Sequence, residues 1–187
     1  MRAFAILLLV IVGFALVIGM WVYGTYNSLV NLDEEANKAY AQVDVVLQRR
    51  FDLIPNLVET VKGYATHEKD VLTQVTEARS RVGQATTPES RINAENQLTG
   101  ALSRLLVVAE AYPQLKANQN FLALQDELSG TENRIAVERR RYNEVATEFN
   151  KRIRRVPGNM VAGIFGFQRR PLLEAPAEAR TAPKVKF

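Results

Sequence analysis

From Ala3 to Val22 the chain is unbrokenly apolar, AFAILLLVIVGFALVIGMWV, and after Arg2 the next charge is Asp33. Twenty such residues, at about 1.5 Å each as a helix, cross a hydrocarbon core of roughly 30 Å. The pattern predicts one membrane span, with Ala3, Leu8, Gly13, Gly19 and Val22 inside it. Trp21, Tyr23 and Tyr26 follow where an interfacial aromatic belt belongs. A cleaved leader has an apolar core of about 7–15 residues ending at a small-x-small site. Here the run is longer and ends in bulky Met20, Trp21, Val22 and Tyr23, so it reads as an uncleaved anchor. Ala15 and Gly19 form a small-xxx-small pair, which ordinary lipid-facing residues explain better than a helix–helix seam.

Beyond the anchor the apolar positions keep helical spacing. Leu29, Leu32, Ala36, Ala39, Val43 and Val46 step by three and four, and no proline or glycine interrupts Asn27–Ile54. The anchor can therefore continue into the following domain as one helix. A row through Phe51, Ile54, Val58, Val61 and Ala65 includes Pro55, which lacks an N–H and clashes with the preceding turn. Pro55 thus marks a helix break with two readings: it starts a new helix, or it kinks a continuous one. Asp52 and Asn56 flank it as possible caps. The apolar face runs on through Leu57, Val61, Tyr64, Leu72 and Val75 and fades at Val82-Gly83-Gln84.

Thr87-Pro88 is a helix start, with a capping hydroxyl before a proline at the first helical position. That helix carries Ile92, Leu98, Leu102, Leu105 and Leu106 and ends at Tyr112-Pro113. The last and longest stripe runs from Phe121 through Leu128, Ile135, Tyr142 and Phe149 to Val156, before Pro157-Gly158. No turn-bounded alternation of period two appears. The expected fold is all-α: an amino-terminal transmembrane helix followed by a long antiparallel bundle of three to four helices. The corresponding divisions are an anchor over 1–26, a bundle over 27–156 and a basic tail, apolar and then flexible, over 157–187.

Charge and composition narrow the chemistry. The net charge of +4 conceals a tail, 151–187, with nine Lys/Arg against two Glu. With no cysteine and a single histidine, thiolate metal sites and a cysteine nucleophile are excluded. His67, Glu68 and Asp70 lie too close in sequence to converge as metal ligands and read as solvated surface. Gly158 to Gly166 lacks the lysine and the preceding strand of a phosphate loop. The basic run from Arg134 to Arg155 pairs with acids four residues away, at Arg134/Glu138, Arg140/Glu144 and Glu148/Arg152, so it reads as a solvated face and not a nucleic-acid patch. No enzyme activity, catalytic residue, metal or cofactor is expected. Met160–Phe167 is different: eight apolar or glycine residues flanked by arginines, too short to span a bilayer. Met160, Ile164, Phe165, Phe167, Arg169 and Arg170 are the candidate contacts with a membrane or a neighbouring subunit, with packing onto the chain's own bundle as the alternative.

Three long blocks also resemble a known family: LDEEANKAYAQVDVVLQRRFDLIPNLVETVKGYA (32–65), LLVVAEAYPQLKANQNFLALQDELSGTENRIAVERRRYNEVATEFN (105–150) and GFQRRPLLEA (166–175). They look like the LemA family of bacterial membrane proteins, in which a transmembrane helix precedes a helical bundle and a relative takes part in magnetosome membrane formation. Tyr40, where a tryptophan is common, and Leu172-Leu173, where an aromatic pair is usual, depart from the pattern while staying apolar. The resemblance implies the anchor-and-bundle fold; the exposed-looking strip 160–167 adds the expectation of a membrane-anchored helical scaffold, homo-oligomeric at the bacterial inner membrane, organising membrane or envelope complexes. The alternatives are a tethered binding module for one envelope partner protein and, behind it, a carboxylate-only enzyme. The two-residue head before the anchor favours an amino terminus inside and the bulk of the chain outside the cytoplasm, whereas the basic tail suits the anionic cytoplasmic leaflet equally. The expected partners are the lipid bilayer and further copies of the chain.

Overall fold

A computed structural model of the chain describes residues 2–65 and 67–173. Six helices follow one another: α1 (Arg2–Lys62), α2 (Lys69–Gln84), α3 (Pro88–Glu110), α4 (Pro113–Lys116), α5 (Gln119–Arg152) and α6 (Gly158–Phe165). No strand occurs among the described residues, and the fold is all-α as the periodicity predicts. The basic positions Arg180, Lys184 and Lys186 lie outside the described residues.

The chain gathers into two compact units. The first takes residues up to Gln42 together with Glu138–Leu172; the second takes Val43–Val137. Both α1 and α5 contribute to each.

In the second unit, α1 from Val43, α2, α3 and α5 up to Val137 form a four-helix bundle. Side-chain pairings show the antiparallel register: Arg81 reaches Gln97 while Arg104 reaches Gln74, and Arg49 reaches Glu127 while Tyr64 meets Asn118. Its core is built from Ile54, Leu57, Val61, Val75, Leu98, Leu105, Leu115 and Phe121, all buried. The chain reverses over Gly63–Glu68, a turn that the in-phase apolar row across Leu57–Val75 did not reveal. At the start of α3 the expected cap is present. Thr87 Oγ1 accepts from the Ser90 N–H at 3.2 Å, and Ser90 Oγ accepts from the Thr87 N–H at 3.1 Å.

Pro55 lies inside α1, which continues to Lys62, so of the two readings it does not begin a second helix but sits within a continuous one. A proline at this position leaves the carbonyl four residues earlier, that of Phe51, without its helical donor. Arg79 of α2 supplies one: its Nε donates to Phe51 O at 3.1 Å, and its guanidinium stacks 3.9 Å from the Phe51 ring centroid. The tolerance of proline is thus a tertiary effect.

The second unit also buries a charge. Arg50, 1% exposed, pairs with Glu95, 2% exposed. Its Nη1 donates to Glu132 Oε1 and, at 3.0 Å, to Thr99 Oγ1, while its buried Nε has no partner among the described residues. A buried guanidinium is tolerated when opposite charge and hydrogen bonds replace its water, and here two carboxylates and a hydroxyl do so at both Nη atoms.

Candidate membrane-contact site

The first unit is organised around the point where α1 ceases to be uncovered. Ala3, Leu8, Gly13 and Gly19 are exposed, as is every other described residue from Ala3 to Trp21; Val22 is half-buried, and Thr25 and Leu29 are buried. An apolar helix surface of this length, uncovered on all sides, is what a membrane span presents. Below Val22 the same helix turns one face to a cluster of Leu29, Phe149, Ile153, Val161 and Ala162, with Val22, Tyr26, Leu32 and Phe167 packed around it.

Two of those core residues come from α6, the segment expected as a flexible apolar strip. It is a helix because both ends are fixed. At the start, a Cβ on Gly158 would lie 2.1 Å from the Arg152 carbonyl oxygen, so only glycine permits the close approach to the end of α5. At the other end Gly166 takes φ +77°, and the N–H groups of Gly166 and Phe167 both donate to Ala162 O.

Between these ends the apolar residues divide. Val161 and Ala162 face the core, while Met160 and Ile164, four apart on one face, point outward, Ile164 being 73% exposed. Phe165 is 52% exposed, with its ring centroid 4.6 Å from that of Tyr26 on α1.

The remaining candidates have other partners. Phe167 is half-buried, with its ring 5.9 Å from Tyr26 and 6.2 Å from Phe149. Arg169 is exposed. Arg170 is turned inward: its Nε donates to Asp33 Oδ1 at 2.8 Å and its Nη2 to Asn37 Oδ1 at 2.7 Å. Asn150 clamps the Arg170 backbone through both amide and carbonyl, and the Tyr142 hydroxyl donates to Pro171 O at 2.9 Å. Burial pushes the Tyr142 phenol above its ordinary pKa, against the pull of the Arg170 charge. Phe167 and Arg170 therefore hold the segment in place, leaving Met160, Ile164, Phe165 and Arg169 as its outward surface.

Beside α6 the first unit opens into two adjoining clefts. One, of about 420 Å³, lies between Met20–Thr25 of α1 and the α5–α6 junction, where Arg152 and Arg155 line it with Glu148. The second, of about 490 Å³, shares Gly24, Glu148 and Arg152 and extends to Asn31 and Glu35. Sequence reasoning placed Glu148 opposite Arg152; the structure pairs it at 3.9 Å with Lys151 instead. His67 is exposed in the turn before α2, and no group of three metal-ligating side chains occurs among the described residues.

Magnetosome protein MamQ 2 of Paramagnetospirillum magneticum is 25% identical over 170 residues, covering 77% of this chain and 62% of the relative. Magnetosome protein MamQ of Magnetospirillum gryphiswaldense matches to the same extent. Protein LemA of Metamycoplasma hominis is 28% identical over 153 residues, covering 80% of this chain and 70% of the relative. The chain spans less than two thirds of the length of the magnetosome relatives. The family model for LemA matches residues 39–187, most of the chain, which therefore belongs to the LemA family.

Proposed function

We propose that this chain is a single-pass, non-enzymatic scaffold of the bacterial inner membrane that meets the bilayer twice, through α1 and through the outer face of α6. The supporting observation is the position of α6. Its outward residue Phe165 packs on Tyr26, just past the uncovered stretch of α1, and Met160 and Ile164 are exposed on the same short helix. An apolar face held at the level of the headgroups is placed for shallow insertion, and the exposed Arg154, Arg155 and Arg169 beside it favour lipid phosphates. The amino terminus lies inside and both units outside the cytoplasm, and the chain self-associates at the membrane.

The absence of cysteine allows a clean test. A fluorophore placed at Ile164→Cys in proteoliposomes is expected to be quenched by brominated lipid tails. The same label at Val107→Cys, an exposed site in the second unit, is expected to be spared. Equal quenching at the two sites would overturn the reading. Protease added to intact spheroplasts reads the orientation, and digestion only after the membrane is opened would reverse it. Light scattering of the solubilised chain reads self-association; a wild-type monomer would remove that element.

A further inference from the structure

The two clefts beside α6 have a charge pattern that matches one class of ligand. We infer that they form a headgroup site for a phospholipid of the bilayer that α1 crosses, selective for a headgroup carrying a primary amine, of the phosphoethanolamine type. This rests on the reading of the first unit as seated on the membrane surface. The site begins at Met20 and Trp21, still on the uncovered part of α1, so acyl chains of a bound lipid run along the apolar helix while its headgroup enters the cleft. There Arg152 and Arg155 meet it. Both are exposed and neither has an ion-pair partner among the described residues, and two guanidiniums on one wall are the donors that a phosphate diester accepts from.

Phosphate binding alone does not explain the carboxylates. Glu148 lines both clefts, and Glu35 lines the second, so the joint site has two guanidiniums and two carboxylates. A purely anionic headgroup meets repulsion from Glu148. A zwitterionic one places its phosphate on the arginines and its ammonium towards Glu148 and Glu35. A primary ammonium offers three N–H donors to those carboxylates, whereas a choline headgroup offers none. Glu148 is free to make this exchange, because its contact with Lys151 is long at 3.9 Å and both side chains are more than half exposed.

The test is native mass spectrometry of the full-length chain in detergent, with equimolar ethanolamine, glycerol and choline phospholipids of identical acyl chains. The wild type is expected to retain the ethanolamine lipid over the others by about tenfold, the discrimination that one to two charge-assisted hydrogen bonds provide. Arg152→Gln with Arg155→Gln is expected to lose retained lipid of every class. Glu148→Gln is expected to keep lipid but lose the preference for the amine. Equal retention of the three lipids by the wild type, preference for the glycerol headgroup, or unchanged retention by the arginine double variant would each overturn the inference. Displacement of the lipid by free phosphoethanolamine at equal concentration would overturn it in favour of a soluble ester. Circular dichroism melts check that the variants fold. If the Ile164 label is quenched while no headgroup preference appears, this inference fails alone; an unquenched label fails the membrane reading itself.

Discussion

At the scale of single residues, Arg50 was legible by position and hidden by type. The buried row of α1 in the second unit is Val43, Leu47, Arg50, Ile54, Leu57 and Val61, stepping by three and four, and only the charge of Arg50 removes it from an apolar count. Its partner Glu95 is likewise buried next to Ala94 and one turn before Leu98. Removing one member of a buried pair leaves the other uncompensated, at about 3–5 kcal/mol, while replacing both with apolar side chains is often neutral. Arg50→Met is therefore expected to lower stability in urea unfolding by about that amount, and Arg50→Met with Glu95→Leu to recover most of it. A double variant as unstable as the single one would show that the charges do more than tolerate each other. Tyr142 supplies a second residue-scale expectation. Its raised pKa means that the folded state resists ionisation, so its contribution is complete below the unfolded value of about 10 and is lost as pH rises through the folded one. Above that range the Tyr142–Pro171 hydrogen bond is expected to fail, and proteolysis within 166–172 to accelerate; Tyr142→Phe should show the faster cleavage already at neutral pH.

At the scale of elements, spacing alone announced α1, α3 and α5, because each has an apolar face several turns long and α3 begins with Thr87 and Pro88. The reversal at Gly63–Glu68 was not announced, since Leu72 and Val75 resume the helical phase of Leu57 and Val61. Nor was α6, whose glycines suggest flexibility until the close approach of Gly158 to Arg152 and the positive φ of Gly166 are known. These are tertiary facts, and a one-dimensional pattern does not contain them. The same is true of Pro55, whose cost is set by a side chain 24 positions further along. The expected signature is coupling. Arg79→Ala removes a charge-assisted hydrogen bond and a cation–π contact, together about 2 kcal/mol. In a Pro55→Ala background the Phe51 carbonyl regains its helical donor, and the cost of Arg79→Ala should fall to about half that. Additive costs in a double-mutant cycle would mean that Arg79 stabilises α2 against α1 without relieving the proline.

For the whole molecule, the consequence is that anchor and folded chain are not separable where the hydropathy changes. Hydropathy and the first charge suggest a division near residue 26, yet Val22, Thr25 and Tyr26 belong to the first unit: Val22 and Tyr26 pack on its core, Thr25 is buried, and Tyr26 touches both Phe165 and Phe167. The last turns of the membrane helix are therefore also the seat of α6. Truncation makes this measurable. A chain beginning at Met20 keeps those contacts and is expected to melt with the first unit intact. One beginning at Asn27 loses the Val22 and Tyr26 side chains, each worth up to about 1.5–3 kcal/mol when fully buried and less here because both are only half covered. With them goes the aromatic pair holding Phe165, so α6 should loosen. Limited proteolysis provides the reading: cleavage between Val156 and Arg170 should be several-fold faster in the shorter chain, while sites in α2 and α3 remain unchanged. Equal protection of 156–170 in both truncations would show that α6 is held by Phe149, Ile153 and Arg170 alone, and that the anchor ends where its hydropathy does.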